Sequence, residues 1–208
     1  MFKYGLNHKR QVLYITTYEK QDALIYLLEK FGFVLHEEFC NNLGNQERAY
    51  VKRFNKSELA DLTGTQIHPF FRTGGNKYVV PIQPQFYNTL FKDGNLRPPT
   101  LFDGQENGLE EVQGNTIIKA YVSKTPIKSL KEGDILFFYS SKTYKCLEPV
   151  GVLIEHTRVD DFDKLWNMVK SKTVYSPEYL REKLAESKYL TVSIFRLVQY
   201  LSPAVDFK

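Results

Sequence analysis

The chain has 208 residues, 42% hydrophobic and 25% charged, with a net charge of +4 spread so that acids lie among the bases; this length suits one large domain or a small one plus a medium one, and the balance excludes a disordered or fibrous chain. No run of about 18 apolar residues occurs, and the opening MFKYGLNHKR has no apolar stretch of the signal-peptide kind, so no membrane partner and a cytoplasmic location are expected. Cys40 and Cys146 lie far apart with no CxxC or His/Cys ligand spacing, so neither a disulfide framework nor a zinc site is indicated.

Val12 to Thr17, rich in β-branched residues, predicts a strand. Asp22 to Phe31 then carries two helical stripes, Ala23, Tyr26, Leu27 and Lys30 on one and Leu24, Leu28 and Phe31 on its neighbour, and Gly32 supplies the helix stop. Val34 to Phe39 alternates weakly as a second strand, Asn41 to Gln46 is a turn cluster, and Arg48 to Phe54 returns as a third strand.

The segment LYITTYEKQDALIYLLEKFGF, followed by RAYVKRF, resembles the last motif of the GNAT acetyltransferase family. In that family the strand and helix, ending in a Gly-Phe pair, form the side of the acetyl-CoA cleft beyond the pantetheine arm. The resemblance implies a truncated GNAT-like α/β unit over residues 1–56. Two departures argue against acetyl transfer by this chain alone. The glycine-rich turn whose amides hold the cofactor pyrophosphate has no room before Val12, residues 2–10 being at most the stub of the helix that follows it. Leu28 stands where many family members carry the tyrosine that protonates the leaving thiolate, and leucine does no proton chemistry. No cofactor and no catalytic residue are therefore expected. A strand parted from its neighbours exposes an edge, which predicts a homo-oligomer or a partner chain bound through 12–17 or 48–54.

Residues 57–76, rich in Thr, Gly and Asn, read as a linker, with His68-Pro-Phe-Phe71 packing at the entry to a second domain over 77–208. His68 has no second ligand at metal spacing and reads as structural, so no metal site is expected. Beyond it, KYVVPI predicts a strand and Pro84 to Phe91 a short helix, while 93–112 is loop. GNTIIKAYVSK, KEGDILFFYSSK and PVGVLIEH then predict three strands at the spacing of a small closed barrel. The acids of Asp160-Asp-Phe-Asp163 read as the cap of a helix running to Lys170, rather than as a cation site. Ser176-Pro177 opens a helix to about Ser187, and LTVSIFRLVQYLSP is the last strand.

The blocks VPIQPQFYNTLF, GNTIIKAYVSK, GDILFFYSS, VGVLIEH, KTVYSPEYL and SIFRLVQYLSP, in that order, resemble the PUA-like (ASCH/EVE-type) domain found behind GNAT domains in bacterial and archaeal proteins. The fold this implies is α+β, a truncated GNAT-like unit followed by a PUA-like small β-barrel with flanking helices. Such domains hold a base of RNA or a modified nucleotide in a cleft between barrel and helices, so a non-catalytic binding protein for RNA or a modified nucleobase or nucleotide is expected. Residues suited to stacking, small-group hydrogen bonding or phosphate contact are Lys119, Tyr121, Tyr139, Ser140, Ser141, Lys142, Tyr175 and Arg196. Each has a structural alternative: Tyr121 and Tyr139 alternate with apolar neighbours as core residues do, and Ser140-Ser-Lys142 reads equally as a hairpin turn. Arg196, inside the apolar run 192–198, needs either a cleft or an ionic partner. Two enzymatic alternatives stand beside the binding reading. One is an N-acetyltransferase fragment awaiting a missing acetyl-CoA-binding half. The other is an ASCH-type amidohydrolase using Lys170, Thr173 and Glu155.

Overall fold

The computed structural model describes residues 2, 5, 8–55, 62, 64–91, 117–124, 129–141 and 144–206. The chain divides into two units, Met1–Phe71 and Arg72–Lys208. The loop expected over 93–112, most of the helix stub before Arg10, and Lys142 lie outside the described residues.

In the first unit β1 (Val12–Tyr18), α1 (Asp22–Lys30), β2 (Val34–Cys40) and β3 (Gln46–Arg53) follow in the expected sequence. Of the two stripes on α1, the one with Leu28 and Phe31 is buried, joined by Ile25 and packed on Leu13, Phe33 and Tyr50. Leu24 of that same stripe is exposed, as are Tyr26 and Leu27 of the rival stripe. Gly32 ends the helix at φ +76°, a left-handed conformation that glycine adopts without strain. Its amide bonds the Glu29 carbonyl at 2.9 Å and that of Phe33 bonds Leu28 at 3.0 Å, while the Phe33 and Leu28 side chains share one cluster.

The sheet is antiparallel in the order β1-β3-β2. The edge expected at 48–54 is therefore corrected, because β3 is central and paired on both sides. Asn41 is the reason: its Oδ1 accepts from the Leu43 and Asn45 amides at 2.9 and 3.0 Å, and the tight turn folds β3 back onto β2. Among the described residues the unpaired edges belong to β1 and β2.

His68 and its neighbours pack within this unit rather than at the entry to the next. His68 meets Phe2 and Phe31 edge-on at 4.8 and 5.5 Å, and Phe70 meets Phe54 at 5.7 Å. Part of the expected linker, residues 64–71, thus belongs to the first unit. Lys52, 1% exposed, ties the same region together, its Nζ donating to the carbonyls of Phe31 and Gln66. Lys52→Met keeps the apolar stem and leaves both carbonyls without this donor. It is expected to lower the stability of the first unit by about 2 kcal/mol, read from hydrogen exchange of the β3 amides.

The second unit contains β4 (Lys77–Ile82), α2 (Pro84–Leu90), β5 (Ile118–Ser123), β6 (Ile135–Ser140), β7 (Cys146–Val159), α3 (Phe162–Val169), α4 (Pro177–Ala185) and β8 (Leu190–Asp206). Both long-range helix starts are capped as expected. Asp161 Oδ1 accepts from the Lys164 amide at 2.8 Å, and Ser176 Oγ accepts from Tyr179 at 3.2 Å ahead of Pro177. The architecture is mixed α+β with a five-stranded sheet in the order β4-β6-β7-β8-β5, parallel between β4 and β6 and antiparallel elsewhere.

The closed barrel expected here does not form among the described residues. β4 and β5 are the two edges of the sheet, and Pro81 in β4 has no N–H to offer a further strand. A side chain crosses the gap instead: the Tyr121 hydroxyl on β5 donates to the Pro81 carbonyl on β4 at 3.0 Å. One face of the sheet packs Val80, Ile82, Leu136, Phe138 and Phe195 against Tyr87, Leu90 and Phe91 from α2 and its end. Ala120, Val122, Val192 and Ile194 belong to a second core with Leu165, Val169 and Leu180 of α3 and α4. Gly151 permits the first of these layers, since a Cβ there would lie 2.6 Å from the Phe195 ring.

No helix among the described residues is long and apolar enough to cross a membrane. The start of the sheet is held by Asp134, 3% exposed, whose carboxylate accepts from the Asn76 amide at 3.0 Å and the Lys131 amide at 2.8 Å. Asp134→Ala leaves two amides without their acceptor. We expect a loss of about 2–3 kcal/mol in urea denaturation of the second unit.

Candidate nucleotide cleft

β4 ends at Ile82 and Pro84 opens α2, and this short helix carries Phe86 to the cleft. α4 starts at Pro177, so Tyr175 just before it and Tyr179 in its first turn reach the same place. Their rings stack at 5.4 Å and 10°. Phe86 meets Tyr175 edge-on at 4.5 Å and Tyr179 at 5.3 Å. With Tyr121 from β5 these rings wall a cleft of about 330 Å³, to which Gln83, Lys124 and Lys183 add polar groups.

The electrostatics of the cleft follow from its depth. Burial pushes the Tyr121 phenol up, with Tyr179 adding to it. It raises Tyr175 further, and a backbone hydrogen bond with Val122 pulls weakly the other way. At the rim, Glu186 Oε2 accepts from Lys124 Nζ at 2.7 Å and from Lys183 Nζ at 3.0 Å. These bonds hold the Glu186 carboxyl below its usual range. Lys183 also lies 5.5 Å above the Tyr179 ring.

Of the eight residues singled out from the sequence, Tyr121 and Tyr175 line this cleft. The others go elsewhere or lie outside the description. Lys119, 3% exposed, is paired with Phe195 inside the sheet and is not part of the lining. Arg196, 1% exposed, lies on the interior strand β8 between Ile118 of the edge strand β5 and Val152 of β7, and burial lowers its guanidinium to about 10, which leaves it charged at neutral pH. Tyr139 falls on the face of β6 opposite to Phe138, in register with Pro81. Ser141 closes the strand end, its Oγ donating to the Ile82 carbonyl at 3.1 Å. Ser140 is fully buried, and its hydroxyl, like that of Thr191, has no hydrogen-bond partner among the described residues. Lys142 is outside the described residues.

The residues of the amidohydrolase alternative are engaged separately. Lys170 Nζ bonds Asn167 at 3.1 Å, Thr173 Oγ1 accepts from the Tyr175 amide at 3.4 Å, and Glu155 is an exposed residue of β7. None of them lines the cleft. Phe86, Tyr179, Lys124 and Lys183 were not singled out from the sequence. The spacing of Tyr175, Tyr179 and Lys183 by four was the available signal, since a helix opened by Ser176-Pro177 sets the last two on one face.

The sequence matches no family model and no curated protein. Among solved structures, the chain is similar to ASCH from Zymomonas mobilis. Its crystal structure aligns with 64% of this chain and 74% of its own at a TM-score of 0.45 and 11% identity. Two single-substitution variants of it align similarly, one over 63% of this chain and 74% of its own at TM-score 0.44 and 12% identity, the other over 64% and 76% at 0.44 and 11%.

A deeper phenol provides a pH test of the fold around the cleft. Burial, reinforced by its bond to Glu148 at 3.3 Å, raises the Tyr87 phenol above its ordinary value, as burial raises Tyr175. Both stay protonated in the fold where an unfolded tyrosine ionises, so the unfolded chain releases protons first and stability falls as pH rises above about 10. Tyr87→Phe combined with Tyr175→Phe is expected to flatten that decline, measured as urea midpoints from neutral to alkaline pH.

Proposed function

We propose that the second unit is a PUA-like binding module that takes a nucleobase, in RNA or as a free or modified nucleotide, into the aromatic cleft, and that the chain acts by binding rather than by catalysis. The observation that carries this reading is the convergence of four rings, Phe86, Tyr121, Tyr175 and Tyr179, on one cleft of about 330 Å³. That size falls in the range of small-molecule sites, roughly 300–1,000 Å³. Aromatic faces stack any base, while the Gln83 amide offers both a donor and an acceptor to a base edge. The two lysines complement a phosphate. In this reading residues 1–56 are a degenerate GNAT-like unit that serves as a scaffold, or as an association surface along the unpaired edge of β1.

Calorimetric titration of the full chain with the common ribonucleosides, their methylated and acetylated forms, and short single-stranded RNA tests the proposal. Saturable binding by at least one is expected, weakened about tenfold by Tyr179→Ala, which removes one stacking ring at the mouth. Titrations flat for every ligand would sink it.

A further inference from the structure

The rim of the cleft holds an arrangement that the stacking rings do not explain. Lys124 follows the end of β5 and Lys183 lies in the last turn of α4, yet both ammonium groups converge on one atom, Glu186 Oε2, at 2.7 and 3.0 Å. Both lysines line the cleft and Glu186 does not. One carboxylate facing two ammonium groups leaves a positive charge over in the trio, although Glu182 on the same helix also favours the Lys183 cation. The side chains are 30–47% exposed, so the pairs are hydrated and cost little to break. Lys183 sits above the Tyr179 ring, so a base stacked at that wall brings its own substituents to the same lysine.

Resting on the base-binding reading above, we propose that this cleft selects a base carrying a phosphate. Lys124 and Lys183 hold the phosphate, and Glu186 occupies its place until the ligand arrives. A phosphate monoester matches the pair better than the carboxylate does, since it brings up to two negative charges and three acceptor oxygens to two ammonium groups that already point at one position. Glu186 then acts as a specificity filter: a neutral nucleoside has to leave the lysine bridge intact, whereas a nucleotide replaces it. The phosphate can belong to a free mononucleotide or to the end of a strand.

The test is the ratio of two affinities, measured calorimetrically on the full chain. The probes are the four common ribonucleosides, their 5′- and 3′-monophosphates, and a trinucleotide with and without a terminal phosphate. At least one monophosphate is expected to bind roughly tenfold more tightly than its nucleoside, with the advantage shrinking as salt is raised. Glu186→Gln is expected to widen the ratio, a gain that misfolding cannot imitate. Lys124→Gln with Lys183→Gln brings it towards one. An equal advantage for the phosphorylated trinucleotide identifies a strand end as the source, and its restriction to mononucleotides identifies the free nucleotide. Nucleosides that bind with no advantage for any phosphate, or a ratio unmoved by Glu186→Gln, overturn this inference alone. Absence of binding by every nucleoside and nucleotide overturns the reading beneath it.

Discussion

Residues Thr191 to Arg196 are hydrogen-bonded on both sides, to Ser123–Ile118 along one flank and to Arg158–Val152 along the other. All six are buried, because layers of apolar side chains cover the sheet. Each side chain in this stretch must therefore be accommodated within a packed layer. Phe195 goes to the layer of α2, while Val192 and Ile194 go to that of α3 and α4. The same pairing sets Tyr121 opposite Ser193, from where its hydroxyl reaches Pro81. It also encloses Arg196, whose burial is a consequence of position in the strand order and which lies away from the cleft lining.

Among the described residues β4 and β5 form no ladder, and the space between them is bridged by one phenol and lined by rings on two different helices. The walls thus come from α2, β5 and α4, and the polar groups sit where these elements begin or end. A cleft assembled this way keeps its apolar floor on the rigid sheet and its charges in water, the arrangement that orients a flat, polar-edged ligand.

Elements with a strong local signature were legible in the sequence. Gly32 after a helical stripe, Ser176-Pro177 before one, and Asp161 ahead of another each act through the adjacent backbone, so a single sequence contains all the information needed. Strand partners were harder. That β3 inserts between β1 and β2, and that β4 runs parallel to β6, depends on pairings between distant segments that alternation cannot reveal. The site suffered from the same limit. Tyr121 and Tyr175 were identifiable as stacking residues, but Tyr139 looked equivalent until the register put it on the other face of β6. Lys124 and Lys183 were not singled out, because nothing local shows that a strand end and a helix end meet at one carboxylate. Charge inside an apolar run drew attention to Arg196 for a chemical reason that the packing satisfies without a cleft.

The order of strands has a consequence for how the protein comes into being. β5 is made before β6 and β7, yet among the described residues its one neighbour in the sheet is β8, which follows after those two strands and two helices. During synthesis β6 and β7, close in sequence and antiparallel, have each other at once, while β5 must wait for a distant segment. Tyr121, Val122 and Ser123 stand on one of these late-meeting strands and Leu190 on the other, so the cleft closes only when they meet. A nascent chain halted before Leu190 is thus one without the completed cleft, and completion of the fold coincides with its formation.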